Sequence, residues 1–577
     1  MNVLKYSFIS LFLAVCCFSC KKTELKSHTP NADSVFQNLS HQFIKDYLTW
    51  RPRLGTYLGL HEYDGKVGDY SKSSIEGERV RLRAYEDRLM SITADSLSPQ
   101  MNIDYRLLLS AINQELFSIE DLKIYWNNPM TYAGLLDLNI YIQRDFASIE
   151  DRMRSIIAIE KKAPVIYAAA KENLSDSLAR PHVETAIIIV EGTISFLKHE
   201  LTVALQDVKV DSLQKSFAET NTSAIAALAD FAQFLRKEKL PRSNQRYAIG
   251  VDKYKKMLLY NEMITTSPQD ILAMGMDELK KEQALFAEVA KTIDPKKKPI
   301  EVFEMLKKEH PTAENLLSDS RKNLEQIREF LVDKNVITIP SEVRVSLVET
   351  PTFARATGTA SMDTPGPFEK KATQAFYYVT PVEKNWSLKQ KEEWLSMFNY
   401  FSTDIVSIHE AYPGHYVQFL HLNASKATDV EKIFMSYAFV EGWAHYTEKM
   451  MIEEGFGKKD SLSAAKYHLA QLDESLIRLA RLCVSIKMHC EGMTIDEGTK
   501  FIEDNAYYEH LPAHQESLRG SFDPGYLSYT LGKLQILKLR EDYKKQEGQR
   551  YSLKKFHDEL LSHGAPPLEI MREIMIR

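Results

Sequence analysis

The sequence predicts a mainly α-helical protein carrying one small β-sheet. Three observations support this. Glycine is scarce, at 22 of 577 residues. Long segments repeat apolar residues at helical spacing. A single stretch, 336–381, departs from that period with short runs rich in β-branched and aromatic residues.

The chain opens MNVLKYSFISLFLAVCCFSCKK. Lys5 supplies a positive start, and the apolar run from Tyr6 to Phe18 is too short to span a bilayer, so it reads as an export signal. Ser19 before Cys20 resembles the lipobox of bacterial lipoproteins. That resemblance implies a signal peptide over 1–19, cleavage before Cys20 and a lipid on its sulfur; an ordinary signal peptide cut elsewhere is the alternative. Residues 20–33 are largely polar and suit a tether. The expected location is the cell envelope, at the outer membrane, with the membrane reached through the N-terminal lipid. After Cys20 no apolar segment is long enough to cross a bilayer.

Removing residues 1–19 takes away one charge, Lys5, and moves the formal net charge from -6 to -7. That mild acidity argues against nucleic acid as a partner. Three of the five cysteines lie in the signal region. The other two, Cys483 and Cys490, are seven residues apart in a helical pattern, about 10 Å along the axis. A disulfide needs α-carbons within about 7 Å, so both are expected as free thiols.

Amphipathic helices are predicted over 36–50, 74–94, 101–119, 148–173, 182–206, 211–237, 268–292 and 312–333, and again from 387 to 577. Ser267 and Pro268 supply a helix N-cap and a first-turn proline. Between the two helical stretches come VITI, VRVSLVE and AFYYVTP, with a Gly/Pro/Thr-rich loop over 356–368. The predicted division is an N-terminal helical region, 34–335, and a catalytic region, 336–577, that opens with the sheet. A strand beside a metal-bearing helix can hold an extended peptide along a free edge. Tyr378, in the last of these runs, is a candidate substrate contact.

Ten of the 16 histidines follow residue 400, which directs attention there. His409-Glu-Ala-Tyr-Pro-Gly-His415 begins like the zinc-peptidase motif HExxH, but its second histidine comes two residues late. On a straight helix His409 and His415 would point about 120° apart. Pro413 lacks an N–H, and its ring collides with the carbonyl of His409, so a break is expected at 411–414 that can return His415 to His409. Gly414 permits the unusual angles. The alternative is a kinked helix with two structural histidines.

Glu441, His445 and Glu448 follow at i, i+4 and i+7, on one helical face. Zinc sites with two histidines and one glutamate keep a position open for water, and Glu441 fits the third-ligand role. His445 is a candidate substrate contact. In the segment Pro524–Gly532, Tyr529 and Tyr526 are candidate donors to a developing oxyanion, with His489 and His514 as further candidates. Arg478 and Arg481 can clamp a peptide carboxylate, although an ion pair within the protein is the plainer role for at least one of them.

These segments together resemble the bacterial family catalogued as domain of unknown function 885, which groups with helical zinc metallopeptidases. The similarity runs from PRLGTYLGLHEYDGKVGDYS (52–71) through AIGVDKYKKMLL (248–259), HEAYPGHYVQ (409–418) and EGWAHYTE (441–448) to FHDELLSHGAPPLEIM (556–571). The resemblance implies two helical lobes around a deep cleft and a zinc site. His409, His415 and Glu441 would be ligands and Glu410 the general base. Tyr416 departs from the family's frequent PGHH. Ser485-Ile486-Lys487, before His489, departs from its Asp-Thr-Gly.

The expectation is therefore a Zn²⁺-dependent peptidase that hydrolyses short peptides at the cell envelope. Glu410, Tyr529 and His489 are the catalytic candidates. The rivals are a non-catalytic helical lipoprotein that binds peptides or nutrients, and a zinc amidase acting on cell-wall peptides.

Overall fold

Helices begin where the sequence supplies caps. Ser267 Oγ accepts from the Asp270 N–H at 3.1 Å, and Pro268 occupies the first turn of Pro268–Ile293. The structure, a computed structural model, describes residues 31–351, 355 and 360–576. The signal peptide, Cys20 and most of the tether lie outside the described residues. The tether ends earlier than expected, because Asn31 caps a helix over Ala32–Trp50. The predicted helix 148–173 is two, Ile149–Glu160 and Ala163–Asn173, because Pro164 suits a helix start and not an interior.

Two apolar cores organise the chain. The first is built almost wholly from residues 36–235, among them Phe36, Phe43, Ile112, Ile156 and Phe231. The second includes Tyr254, Phe286, Ile327, Ile405, Trp443, Leu476 and Ile536. The predicted boundary at 335 therefore falls inside the second core. Helices Val251–Glu262, Pro268–Ile293 and Leu316–Lys334 belong with the C-terminal half. Apolar periodicity shows that a helix buries a face; it does not show which core receives it. The spine of the second core is the 31-residue helix Ser461–Glu491. It meets Pro268–Ile293 so closely that a Cβ on Gly275 would stand 2.3 Å from Leu482 Cδ2.

The sheet has three strands, β1 (Ser346–Glu349), β2 (Ala360–Asp363) and β3 (Phe376–Val379), in the order β1-β3-β2. β3 runs parallel to β1 and antiparallel to β2. Two expectations are corrected. VITI is not a strand: Val336 and Ile337 are buried in the second core, and the Val336 carbonyl accepts from His557 Nδ1 at 2.8 Å. And β3 has both edges occupied, so the sheet's outer edges belong to β1 and to β2, which arises within the predicted loop. β3 still touches the helix that carries His409, through Tyr377 Oη and Ser407 Oγ at 3.1 Å. Cys483 is buried, Cys490 is half-buried, and both are free thiols. Among the described residues no helix is long and apolar enough to cross a membrane.

Candidate metal centre

The helix Tyr400–Glu410 ends one residue after His409, and the next, His415–Ala424, begins at His415. Ala411 to Gly414 form the break between them, with a cis Tyr412-Pro413 bond. Only glycine fits at 414, since a Cβ there would lie 1.7 Å from the His409 carbonyl oxygen. Trp443 Nε1 donates to the Pro413 carbonyl at 3.0 Å and ties the break to the helix Tyr437–Glu453. His415 is thereby folded back onto His409, with ring centroids 4.9 Å apart and planes at 88°.

Glu441 completes the group. Its Oε2 stands 3.5 Å from His409 Nε2 and 3.5 Å from His415 Nε2. One donor atom from each of the three residues lies within 4.8 Å of the others. A tetrahedral zinc with bonds of about 2.1 Å holds its ligands roughly 3.4 Å apart. The observed separations match that span and exceed a hydrogen bond. Glu441 Oε2 is buried with no hydrogen-bond partner, as expected of an atom awaiting a cation. The donor set fits a zinc ion.

Behind His409, Glu448 is fully buried and surrounded by donors. Its carboxylate accepts from His409 Nδ1 at 2.7 Å, His445 Nδ1 at 3.1 Å and Arg478 Nη2 at 3.1 Å. A carboxylate can only accept, so His409 donates from Nδ1 to Glu448, which leaves Nε2, facing Glu441, as the nitrogen a cation would take. Burial alone would lower the His409 pKa, but the carboxylates of Glu441 and Glu448 outweigh it and raise it to about 9. Burial opposes ionisation of Glu441 too, yet His415 and His409 hold its carboxyl below the usual range. His445 is driven the other way, well below 6.5, by burial and then by the Lys533 charge.

Tyr529 closes the opposite side, its ring stacked on His409 at 6.3 Å and 19°. It reaches that place because its helix, Ser528–Glu547, crosses Tyr437–Glu453 in backbone contact at Gly532 and Gly442. Burial, and then the Glu441 charge, raise its phenol pKa, so it stays a neutral donor. Arg519 Nη2 is 3.5 Å from the Tyr529 hydroxyl and 3.1 Å from that of Tyr437. Glu410, half-buried, is the last residue of the His409 helix and has no hydrogen-bond partner among the described residues.

Several predicted site residues are engaged by other partners. His489 is a tie between segments: Nε2 donates to the Gly520 carbonyl at 2.8 Å, and Nδ1 accepts from the Ile249 N–H at 3.3 Å. Both ring nitrogens are occupied, and His489 sits about 16 Å further along its helix than Arg478. Tyr526 is fully buried, its hydroxyl packed at Gly520, and it has no face toward substrate. His445 is likewise wholly buried, behind the ligands. Arg478 is paired with Glu448 and Glu474, and Arg481 grips Glu516 through two bonds of 2.7 and 2.8 Å. Tyr378 is buried in β3, stacked on Phe376 at 6.1 Å. His514 Nδ1 lies 3.3 Å from Thr499 Oγ1. Sequence reading missed the Glu448 hub, although Glu448 sits on the predicted stripe, and missed Arg519 and Tyr437 altogether.

Fold and site together define a helical protein with a candidate His/His/Glu metal centre. The chain belongs to the family described as bacterial protein of unknown function (DUF885), whose model matches residues 52–575. Among solved structures it is similar to a candidate lipoprotein of unknown function from Shewanella oneidensis, with 26% identity, a TM-score of 0.78, and coverage of 94% of this chain and 99% of that one. It shares its fold with a candidate lipoprotein from Colwellia psychrerythraea, at 18% identity and a TM-score of 0.76, covering 94% and 98% of the two chains. A search of curated proteins returns no match.

Proposed function

We propose that this protein is a zinc-dependent peptidase of the cell envelope that hydrolyses short peptides. The observation that carries the reading is the separation of His409 Nε2 and His415 Nε2 from Glu441 Oε2, 3.5 Å in each case, with Glu410 next to His409 in the chain. His409, His415 and Glu441 would hold the ion. When bound, zinc supplies a Lewis acid that polarises the scissile carbonyl and acidifies water. Glu410 takes a proton from the attacking water and returns it to the leaving amine. Tyr529 donates its hydroxyl proton toward the carbonyl oxygen as negative charge develops there. Glu448 holds His409 in the tautomer that leaves Nε2 free. The candidate-lipoprotein description of the Shewanella protein supports an anchor at Cys20.

A zinc amidase for cell-wall peptides uses the same groups. A binding lipoprotein needs no proton acceptor at 410, and the unpartnered Glu410 favours an enzyme over it. The test is the metal content of the purified protein, followed by hydrolysis of short peptides and cell-wall fragments with and without a chelator. Stoichiometric zinc and chelator-sensitive peptide cleavage are expected. A metal-free protein that binds peptides without cleaving them would refute the proposal.

A further inference from the structure

We infer that Arg519, with Arg481 beside it, binds the C-terminal carboxylate of the substrate, so that the enzyme removes one or two residues from free C-termini. This rests on the peptidase reading above and names its substrate class.

Arg519 lies on the helix His510–Phe522 and its side chain is 32% accessible. Nε and Nη2 donate to Asp523 Oδ2 at 3.1 and 2.9 Å, and Nη2 also reaches the Tyr437 and Tyr529 hydroxyls. Nη1 has no partner among the described residues. Arg481 repeats the arrangement, with Nε and Nη2 held by Glu516 and Nη1 left over. Each guanidinium is thus fixed by one carboxylate of the protein and keeps one amino group open.

Both guanidinium groups lie against the same ring. The Arg481 and Arg519 guanidinium carbons lie 5.2 and 5.7 Å from the Tyr529 centroid. That ring in turn stacks on His409. Two like charges held beside one ring repel each other, and an anion bound at either open amino group relieves the repulsion. A carboxylate is planar and accepts from two donors, which suits two fixed guanidinium groups better than it suits lysines.

The distance sets the product. A peptide residue spans at most about 3.3–3.6 Å. The anion site is one tyrosine ring away from His409, so one or two residues fit between the scissile carbonyl and the carboxylate. Hydrolysis breaks the amide C–N bond. Water gives its hydroxyl to the acyl carbon and a proton to the amine, and the leaving product is an amino acid or dipeptide that still carries its carboxylate. No redox partner is required.

The experiment uses one peptide sequence in four forms: C-terminus free or amidated, N-terminus free or acetylated. Amidation should lower kcat/KM by about 100-fold, and acetylation should change it little. Mass spectrometry should find the C-terminal amino acid or dipeptide as product. Arg519→Gln should bring the free acid down to the level of the amide at unchanged zinc content, and Arg519→Lys should recover part of the loss. Should Arg519→Gln fail to fold, the acid-to-amide comparison on the unaltered protein decides. Calorimetry on Glu410→Gln with an acetylated dipeptide and its amide reads the site without turnover, and at least ten-fold tighter binding of the acid is expected. Equal cleavage of acid and amide would overturn the carboxylate site and leave the peptidase reading standing. Acid-selective binding that depends on Arg519, without cleavage of any peptide, would support the site and remove the peptidase reading. Equal binding of both forms would overturn the site.

Discussion

Gly442 and Gly532 touch backbone to backbone: a Cβ on Gly442 would stand 2.5 Å from the Cα of Gly532, and one on Gly532 would stand 1.8 Å from the Ala438 carbonyl oxygen. Glu441 precedes the first glycine, and Tyr529 lies one turn before the second. The crossing therefore sets the distance between a ligand and the proposed oxyanion donor. Gly442→Ala must push the helices apart, at roughly 1–3 kcal/mol of stability, and should lower zinc occupancy. Denaturant unfolding and metal analysis measure both, and an alanine variant with unchanged stability and zinc would contradict the role given to the crossing.

Glu410 and Glu441 should separate metal binding from chemistry. Glu410→Gln should retain zinc and lose about 10²–10⁴ in turnover. Glu441→Ala should lose the metal itself. Zinc content and peptide turnover, measured on the same preparations, decide. Equal turnover by Glu410→Gln and the unaltered protein would remove the proton-transfer role.

Glu448→Gln should weaken zinc binding by roughly 10–100-fold, because the amide no longer fixes the His409 tautomer. It also leaves Arg478 with a neutral neighbour in a buried site, so stability should fall as well. Competition with a chromophoric chelator reads the affinity, and unchanged affinity would count against the tautomer argument.

Tyr529→Phe should lower turnover about 10²–10³-fold with zinc retained and KM nearly constant. The ring, and with it the contact to His409, survives this change, so the loss isolates the hydroxyl. Steady-state kinetics show which parameter moves; an effect confined to KM would assign Tyr529 to binding.

Glu160 lies far from this chemistry, fully buried in the first core, where it accepts from Thr220 Oγ1 at 2.7 Å and its Oε1 has no partner. Burial raises its pKa from 4.5 to about 8. The folded state therefore holds a proton that the unfolded chain has released. The stability this contributes is complete below pH 4.5 and is lost as the pH rises toward about 8. Glu160→Gln should flatten the fall in stability over that window. Unfolding free energies across it provide the check, and parallel curves for the two proteins would refute it.

The convergence of His409, His415 and Glu441 was legible because its cues are local. Pro413 and Gly414 stand where the histidine spacing is wrong for a straight helix, and the break they impose repairs it. The stripe Glu441, His445, Glu448 was visible as well, but spacing says which residues share a face and not how deep that face is buried. His445 and Glu448 consequently exchanged importance. His489 takes backbone partners remote in sequence, and Tyr526 is packed at Gly520 inside the core, a burial that spacing does not show. Arg519 gains its meaning from Tyr437, Tyr529 and Asp523 together, and only the first core's separation near residue 240 reveals that helices 251–334 belong to the other half. β2 was hidden because ASMD lacks strand propensity and exists through its pairing with β3.

The indole of Trp443 holding the Pro413 carbonyl has a bearing on assembly in the cell. The three proposed ligands fall within residues 409–441, so an ion there would close only a short loop and remove little chain entropy on binding. The break, the crossing and the Glu448 hub are held by contacts that involve no ion. On the proposed metal reading, folding and loading are separable events: the chain can form these contacts first and take up an ion afterwards.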